Sequence, residues 1–194
     1  GLGVSLVVMW AGVGIAKDTL EPLIGQAVDP KVYLQITNFV EKYDGVVGSH
    51  DLIVHNYGPA KSMASIHAEV PNNVDIEESH AVIDRIEREA MKKMGLFLVI
   101  HMDPVETEDK KVLAIKKDAE EIIKEMDKRV SIHDFRVVGG RDHKNLIFDM
   151  VIPYEYDKEK QNDLREEFAR RLREKNDRYH AVITMERSYV ASAA

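Results

Sequence analysis

The 194-residue chain contains no cysteine. Disulfide scaffolds, thiolate zinc fingers and Cys nucleophiles are therefore excluded. It has one tryptophan, six prolines and no low-complexity tract. It has no excess of basic residues: 27 Lys and Arg stand against 34 Asp and Glu, a formal charge of −7. Phosphate binding needs clustered Lys and Arg, so a nucleic-acid partner is not expected. Charge itself is missing from the first 16 residues, GLGVSLVVMWAGVGIA, and first appears at Lys17.

That opening run lacks the basic flank of a secretory signal. It also lacks the polar stripe of a surface helix, and Gly3, Gly12 and Gly14 suit close packing in lipid better than a buried soluble helix. The reading is the end of a transmembrane helix, truncated here, with Lys17 and Asp18 marking the exit from the membrane and Pro22 and Gly25 breaking the helix.

The rest is globular in composition, with 44% hydrophobic and 31% charged residues. The charge is uneven. Residues 1–109 carry 8 basic and 17 acidic side chains, net −9, and five of the eight histidines. Residues 110–194 carry 19 basic and 17 acidic, net +2. An acidic, histidine-rich, cysteine-free region attracts divalent cations, although a solvated surface has the same composition.

Pro30 starts a helical pattern with Val32, Ile36, Phe39 and Val40 on one stripe. His50–Tyr57 reads as a strand, followed by a Tyr57-Gly58-Pro59 turn. Ser62–Val70 alternates with period two: Ala64, Ile66, Ala68 and Val70 on one face, Met63, Ser65, His67 and Glu69 on the other. Asp75–Met94 is an amphipathic helix, and Phe97–Asp103 a third strand ended by Pro104. The order then repeats: a helix over Thr107–Lys128, strands at His133–Val138 and Asn145–Ile152, a helix at Asp157–Glu174, and a strand at His180–Glu186. His50-Asp51-Leu52 returns as His133-Asp134-Phe135, 83 residues on. The chain is read as α+β, with two tandem copies of one small αββαβ domain in split βαβ order. The expected divisions are 1–25, 26–105 and 106–194.

Five side chains of the first copy sit where metal ligands would. His50 opens the first strand, His67 lies on the polar face of the second, and His80 borders the buried stripe of the helix. His101 and Asp103, two apart, share a face of the third strand. Imidazole and carboxylate are the ligands of Zn²⁺ and, in more oxygen-rich sets, of Mn²⁺, Fe²⁺ or Co²⁺. Five donors exceed a tetrahedral zinc's need and suggest two ions sharing Asp103. Periodicity alone does not make the five converge, and any one of them has an ordinary reading as a surface residue. Asp51 and Asp84 are read as solvated.

In order along the chain, Thr19-Leu20-Glu21-Pro22-Leu23-Ile24-Gly25, Gly48-Ser49-His50-Asp51-Leu52, Ser65-Ile66-His67-Ala68-Glu69-Val70, Ser79-His80-Ala81-Val82-Ile83-Asp84-Arg85-Ile86-Glu87 and Ile100-His101-Met102-Asp103-Pro104 resemble the cation diffusion facilitator family of metal efflux transporters. The resemblance covers about residues 1–105. It implies a ferredoxin-like (metallochaperone-like) cytoplasmic domain that forms a homodimer. It implies that His50, His67, His80, His101 and Asp103 bind a pair of regulatory Zn²⁺-like ions. It also implies proton-coupled export through membrane helices outside this sequence, in the cell membrane, with residues 26–194 on the cytoplasmic side. Zn²⁺ suits the donors, and Mn²⁺, Fe²⁺, Co²⁺ and Cd²⁺ remain open. Because ligation needs neutral imidazoles, metal affinity is expected to fall as the pH drops through about 6.5.

Family members generally end near Pro104, whereas this chain adds a copy. In it His50, His67, His80, His101 and Asp103 align with His133, Asp149, Asn162, Thr184 and Glu186. The added copy is read as degenerate, serving dimerisation or stiffening, with a weaker metal site as the alternative. His55, His143 and His180 are read as surface residues. Two rivals remain: a metalloenzyme, for which there is no HExxH motif and no evident general base, and a metal-independent dimerisation module with incidental histidines.

Overall fold

The computed structural model describes residues 1–24, 28–57, 62–139 and 143–188. The helix break expected at Gly25 and the Gly58-Pro59 part of the turn lie outside them. Helix α1 (Leu2–Ile24) continues past Pro22 rather than stopping there. Pro22 has no N–H to give the Asp18 carbonyl, but the helix carries only Leu23 and Ile24 beyond it, so the loss is confined to its last turn.

Helix α2 (Pro30–Glu41) begins where Asp29 accepts a hydrogen bond from the Lys31 N–H at 2.7 Å and Pro30 supplies a preset φ. Strands β1 (Gly48–Asn56), β2 (Ser62–Pro71) and β3 (Leu96–Val105) form a sheet in that order, β1 antiparallel and β3 parallel to β2. Helix α3 (Ile76–Met94) makes the crossover between β2 and β3. It is capped by Asp75, and by Gly95 in the left-handed conformation (φ 65°) that a C-terminal glycine adopts without strain. Ile36, Phe39 and Val40 of α2 and Ile83, Ile86 and Ala90 of α3 pack on Leu52, Ala64, Ile66, Ala68, Leu98 and Ile100 of the sheet. The period-two face expected on β2 is thus the core face.

The second unit repeats this. Helix α4 (Lys110–Met126) precedes β4 (Ser131–Gly139), β5 (Lys144–Ile152), α5 (Lys158–Lys175) and β6 (Tyr179–Arg187). The sheet order is β4-β5-β6 with the same antiparallel and parallel pairings. Its core is separate: Ile115, Ala119 and Ile123 of α4 and Phe168 and Leu172 of α5 meet Phe135, Leu146, Phe148 and Met150. The fold is α+β, two ferredoxin-like units in tandem, as the sequence predicts.

One irregularity matters for the site and occurs in both units. The β1–β2 register slips between His50 and Ile53, and the β4–β5 register slips between His133 and Arg136. At each slip sits an aspartate with positive φ, Asp51 at 52° and Asp134 at 49°. Aspartate is one of the few non-glycine residues that enter this region readily. The bulge re-aims the preceding histidine.

Candidate metal centre

The β-register brings the first copy's donors into a row. His50 on β1 pairs with His67 on β2, and His67 with His101 on β3. Asp103, two residues beyond His101, lies on the same face. Its carboxylate is the hub of the cluster. Asp103 Oδ2 lies 2.8 Å from His67 Nδ1 and 3.3 Å from His50 Nε2, and Oδ1 lies 3.3 Å from His101 Nε2. The His50 and His67 rings are 5.1 Å apart, and those of His67 and His101 4.7 Å. Ligand atoms of His50, His67 and Asp103 all lie within 4.8 Å of one another.

Burial differs along the row. His50 is only 2% exposed and Asp103 9%. His67 is half-buried and His101 exposed. Asp51, adjacent to His50, brings Oδ2 to 3.1 Å from His50 Nδ1. It is therefore part of the site's electrostatics, not the solvated carboxylate that its polarity suggests.

Burial alone would depress the His50 pKa. The adjacent carboxylates of Asp103 and Asp51 outweigh it and raise the value to about 10. Asp103 moves the opposite way. Burial would raise it, but the imidazoles of His50, His67 and His101 around it bring it below the ordinary carboxylate value. Asp51 is lowered for the same kind of reason, chiefly by His50 against its own burial.

The donor set fits a divalent transition metal. It offers neutral-capable imidazoles beside a carboxylate, the mixture such ions take. His50 Nε2 is moreover buried without a hydrogen-bond partner, since its approach to Asp103 is not aligned as a hydrogen bond. A buried polar atom left so is costly, and a bound ion would satisfy it.

His80 is not gathered in. It lies exposed on α3, outside the cluster, and makes no hydrogen bond or ion pair among the described residues. His55, His143 and His180 are exposed, as expected. The second copy's aligned residues do not form an equivalent group among the described residues. Instead His133 and Glu186 lie against the first copy. The His133 ring stacks on His50, 4.8 Å between centroids and 12° between planes. Its Nε2 lies 3.1 Å from Ser131 Oγ. Burial lowers the His133 pKa, and the neighbouring His50 charge lowers it further. Glu186 rises to about 7 through burial and the charges of Asp51 and Asp149, and its Oε2 is buried without a partner. Asp134 rises through burial and the nearby Asp103 and Asp149, although Arg136 Nη2 donates to its Oδ2 at 2.7 Å. The 83-residue offset places His133 at the position of His50 but does not show that the two corners meet.

Residues 28–105 match the family described as cation efflux protein, cytoplasmic domain. The cation-efflux pump FieF of Salmonella schwarzengrund (strain CVM19633) is 27% identical over 114 residues, which cover 57% of this chain and 38% of the pump. FieF of Yersinia enterocolitica (serotype O:8, biotype 1B) is 26% identical over 104 residues, 53% of this chain and 34% of the pump. A solved structure described as that of a candidate zinc transporter, CzrB, is 26% identical, covers 40% of this chain and 98% of its own, and superposes with a TM-score of 0.37. The chain thus spans less than two fifths of the length of these pumps. Residues 28–105, the segment that carries the histidine row, are thus similar to the cytoplasmic domain of cation efflux proteins.

Proposed function

We propose that this is the cytoplasmic regulatory and dimerisation region of a proton-coupled divalent metal efflux transporter. On this reading residues 1–25 end the last transmembrane helix, 26–105 form the metal-sensing domain, and 106–194 are a second repeat. His50, His67, His101 and Asp103 hold Zn²⁺-like ions, with His80 as the fifth ligand of a pair. The observation that carries the reading is the convergence of His50, His67 and Asp103 on one another, with His50 Nε2 buried and unpartnered. A bound divalent cation would supply positive charge to a net-acidic segment. Asp103, at the centre of the row, links all three strands of the sheet to that charge. A ligating imidazole must be neutral, so a protonated His50 would give up its Nε2 proton to the solvent, and binding is coupled to proton release. The domain conformation with the higher metal affinity is then favoured by that difference in affinity. The relatives' names are those of transporters, in keeping with a non-enzymatic role.

Metal stoichiometry of the full chain, by calorimetry with elemental analysis, tests this. About two ions per chain are expected, from five donors shared through one carboxylate. Asp103→Ala abolishes binding, because it removes the group common to all three imidazoles. His80→Ala removes one ion if His80 completes the pair and leaves the count unchanged if it does not. Parent-like binding by both Asp103→Ala and His101→Ala sinks the assignment.

A metal-independent dimerisation module is the second reading. It is favoured by the fact that Asp103 already pairs with the imidazoles around it. A melting temperature unmoved by Zn²⁺, Mn²⁺, Fe²⁺ and Co²⁺ would establish it in place of the first.

A further inference from the structure

The two units of this chain meet through equivalent corners. Each corner is a strand opening with a histidine, a positive-φ aspartate and a register slip: His50 and Asp51 on β1, His133 and Asp134 on β4. The contact is a parallel ring stack of His50 on His133, at 4.8 Å and 12°. The His50 ring also lies 5.1 Å from that of His67, tilted at 47°. Its ring therefore has one ring neighbour from its own sheet and one from the added repeat. His50 is 2% exposed.

We propose that His133 is a positioning residue for the first repeat's metal cluster. Its ring fixes the plane of His50, so the metal affinity of the cluster is set in part by the docking of the second repeat. This rests on the reading of His50, His67 and Asp103 as ligands. His133 itself stands outside that group, and its Nε2 is engaged with Ser131. Its role is to orient, not to ligate. A ligating imidazole must present its nitrogen along a defined direction, and the groups that hold its ring contribute to affinity. The stack removes the rotation about χ2 that a terminal ring otherwise keeps. The added repeat on this view is a built-in clamp on the sensor.

Co²⁺ titration of the full chain tests it, following the visible absorption of the bound ion. His133→Ala is expected to weaken Co²⁺ binding by about tenfold or more and to shift the absorption bands, with the number of ions per chain unchanged. His133→Phe, which keeps a stacking ring but has no ligand nitrogen, is expected to restore both affinity and spectrum. If circular dichroism shows that His133→Ala does not fold, His133→Gln takes its place. Parent-like affinity and spectrum in the ring-less variant overturn the proposal. So does loss of one ion per chain in both His133→Ala and His133→Phe, because that would make His133 a ligand. Asp103→Ala separates the two levels. If the parent binds no Co²⁺, or Asp103→Ala binds as the parent does, the ligand assignment itself fails. If Asp103→Ala abolishes binding while His133→Ala leaves it intact, only the clamp fails.

Discussion

At Asp103 one carboxylate faces three imidazoles, and at Asp51 another faces the most buried of them. Aspartates also decide the second unit. Asp127, which ends α4, accepts from Arg129 through its backbone N–H at 2.9 Å and through its guanidinium at 3.1–3.2 Å. The Tyr156 hydroxyl also donates to it. The Arg129 bonds are the main reason that its pKa falls to about 2, against a small opposing effect of burial. The sign follows directly. The folded value lies below the ordinary 3.8, so the contribution is complete above about pH 4 and is lost as the pH falls towards 2. Asp127→Asn should therefore be less stable than the parent at pH 5, with the gap closing steadily between pH 4 and 2 in denaturant titrations. A gap that stays constant across that range would show that the ionised carboxylate contributes nothing. The residue scale is also where the sequence is least legible. Period two places His67, His101 and Asp103 on usable faces, because alternation follows from strand geometry. It says nothing of Asp51 or His133, whose roles arise from a bulge and from contact between repeats.

At the scale of elements the sequence is far more legible, since local rules act within a few residues. Asp29, Asp75, Asp109 and Asp157 each cap the helix that follows, accepting from a backbone N–H two or three residues on. That is why α4 starts at Lys110, not at Thr107 as the charged run suggests. Helix α3 shows how one stripe commits an element to its core. Ile83, Ile86 and Ala90 recur at helical spacing and are all buried, and Ile86 is fully so. Ile86→Ala should cost about 2–5 kcal/mol. The buried sets of the two units share no residue, so the loss should be local. Hydrogen exchange should quicken in β1, β2, α3 and β3 while β4–β6 keep their protection. The fully buried Phe168 of α5 gives the reciprocal variant: Phe168→Ala should expose the second sheet first. Equal loss of protection in both sheets for either variant would mean that the units unfold as one.

For the molecule as a whole, the two packed units leave the apolar side chains of α1 exposed among the described residues. Leu2, Val4, Leu6, Val7, Val8, Met9, Trp10, Val13 and Ile15 are all exposed, Trp10 by 83%. In water such a surface is strongly unfavourable, at roughly 25 cal/mol for each Å² of apolar area. The charged residues that would make a soluble surface are absent until Lys17. The apolar part, Leu2–Leu20, is 19 residues, or about 29 Å at 1.5 Å per residue, close to the roughly 30 Å of a hydrocarbon core. Because every backbone N–H of a helix interior is satisfied within the helix, lipid can cover this face at no hydrogen-bonding cost. Trp10 is the only tryptophan in the chain, so its fluorescence reports this helix alone. On mixing the full chain with phospholipid vesicles, the emission should move to shorter wavelength, become shielded from iodide, and be quenched by lipids brominated on their acyl chains. Trp10→Phe should abolish the signal without preventing vesicle binding in a flotation assay. Emission that stays red and open to iodide at high lipid would show that α1 is covered by protein rather than by a bilayer, and a second copy of the chain would then have to bury it.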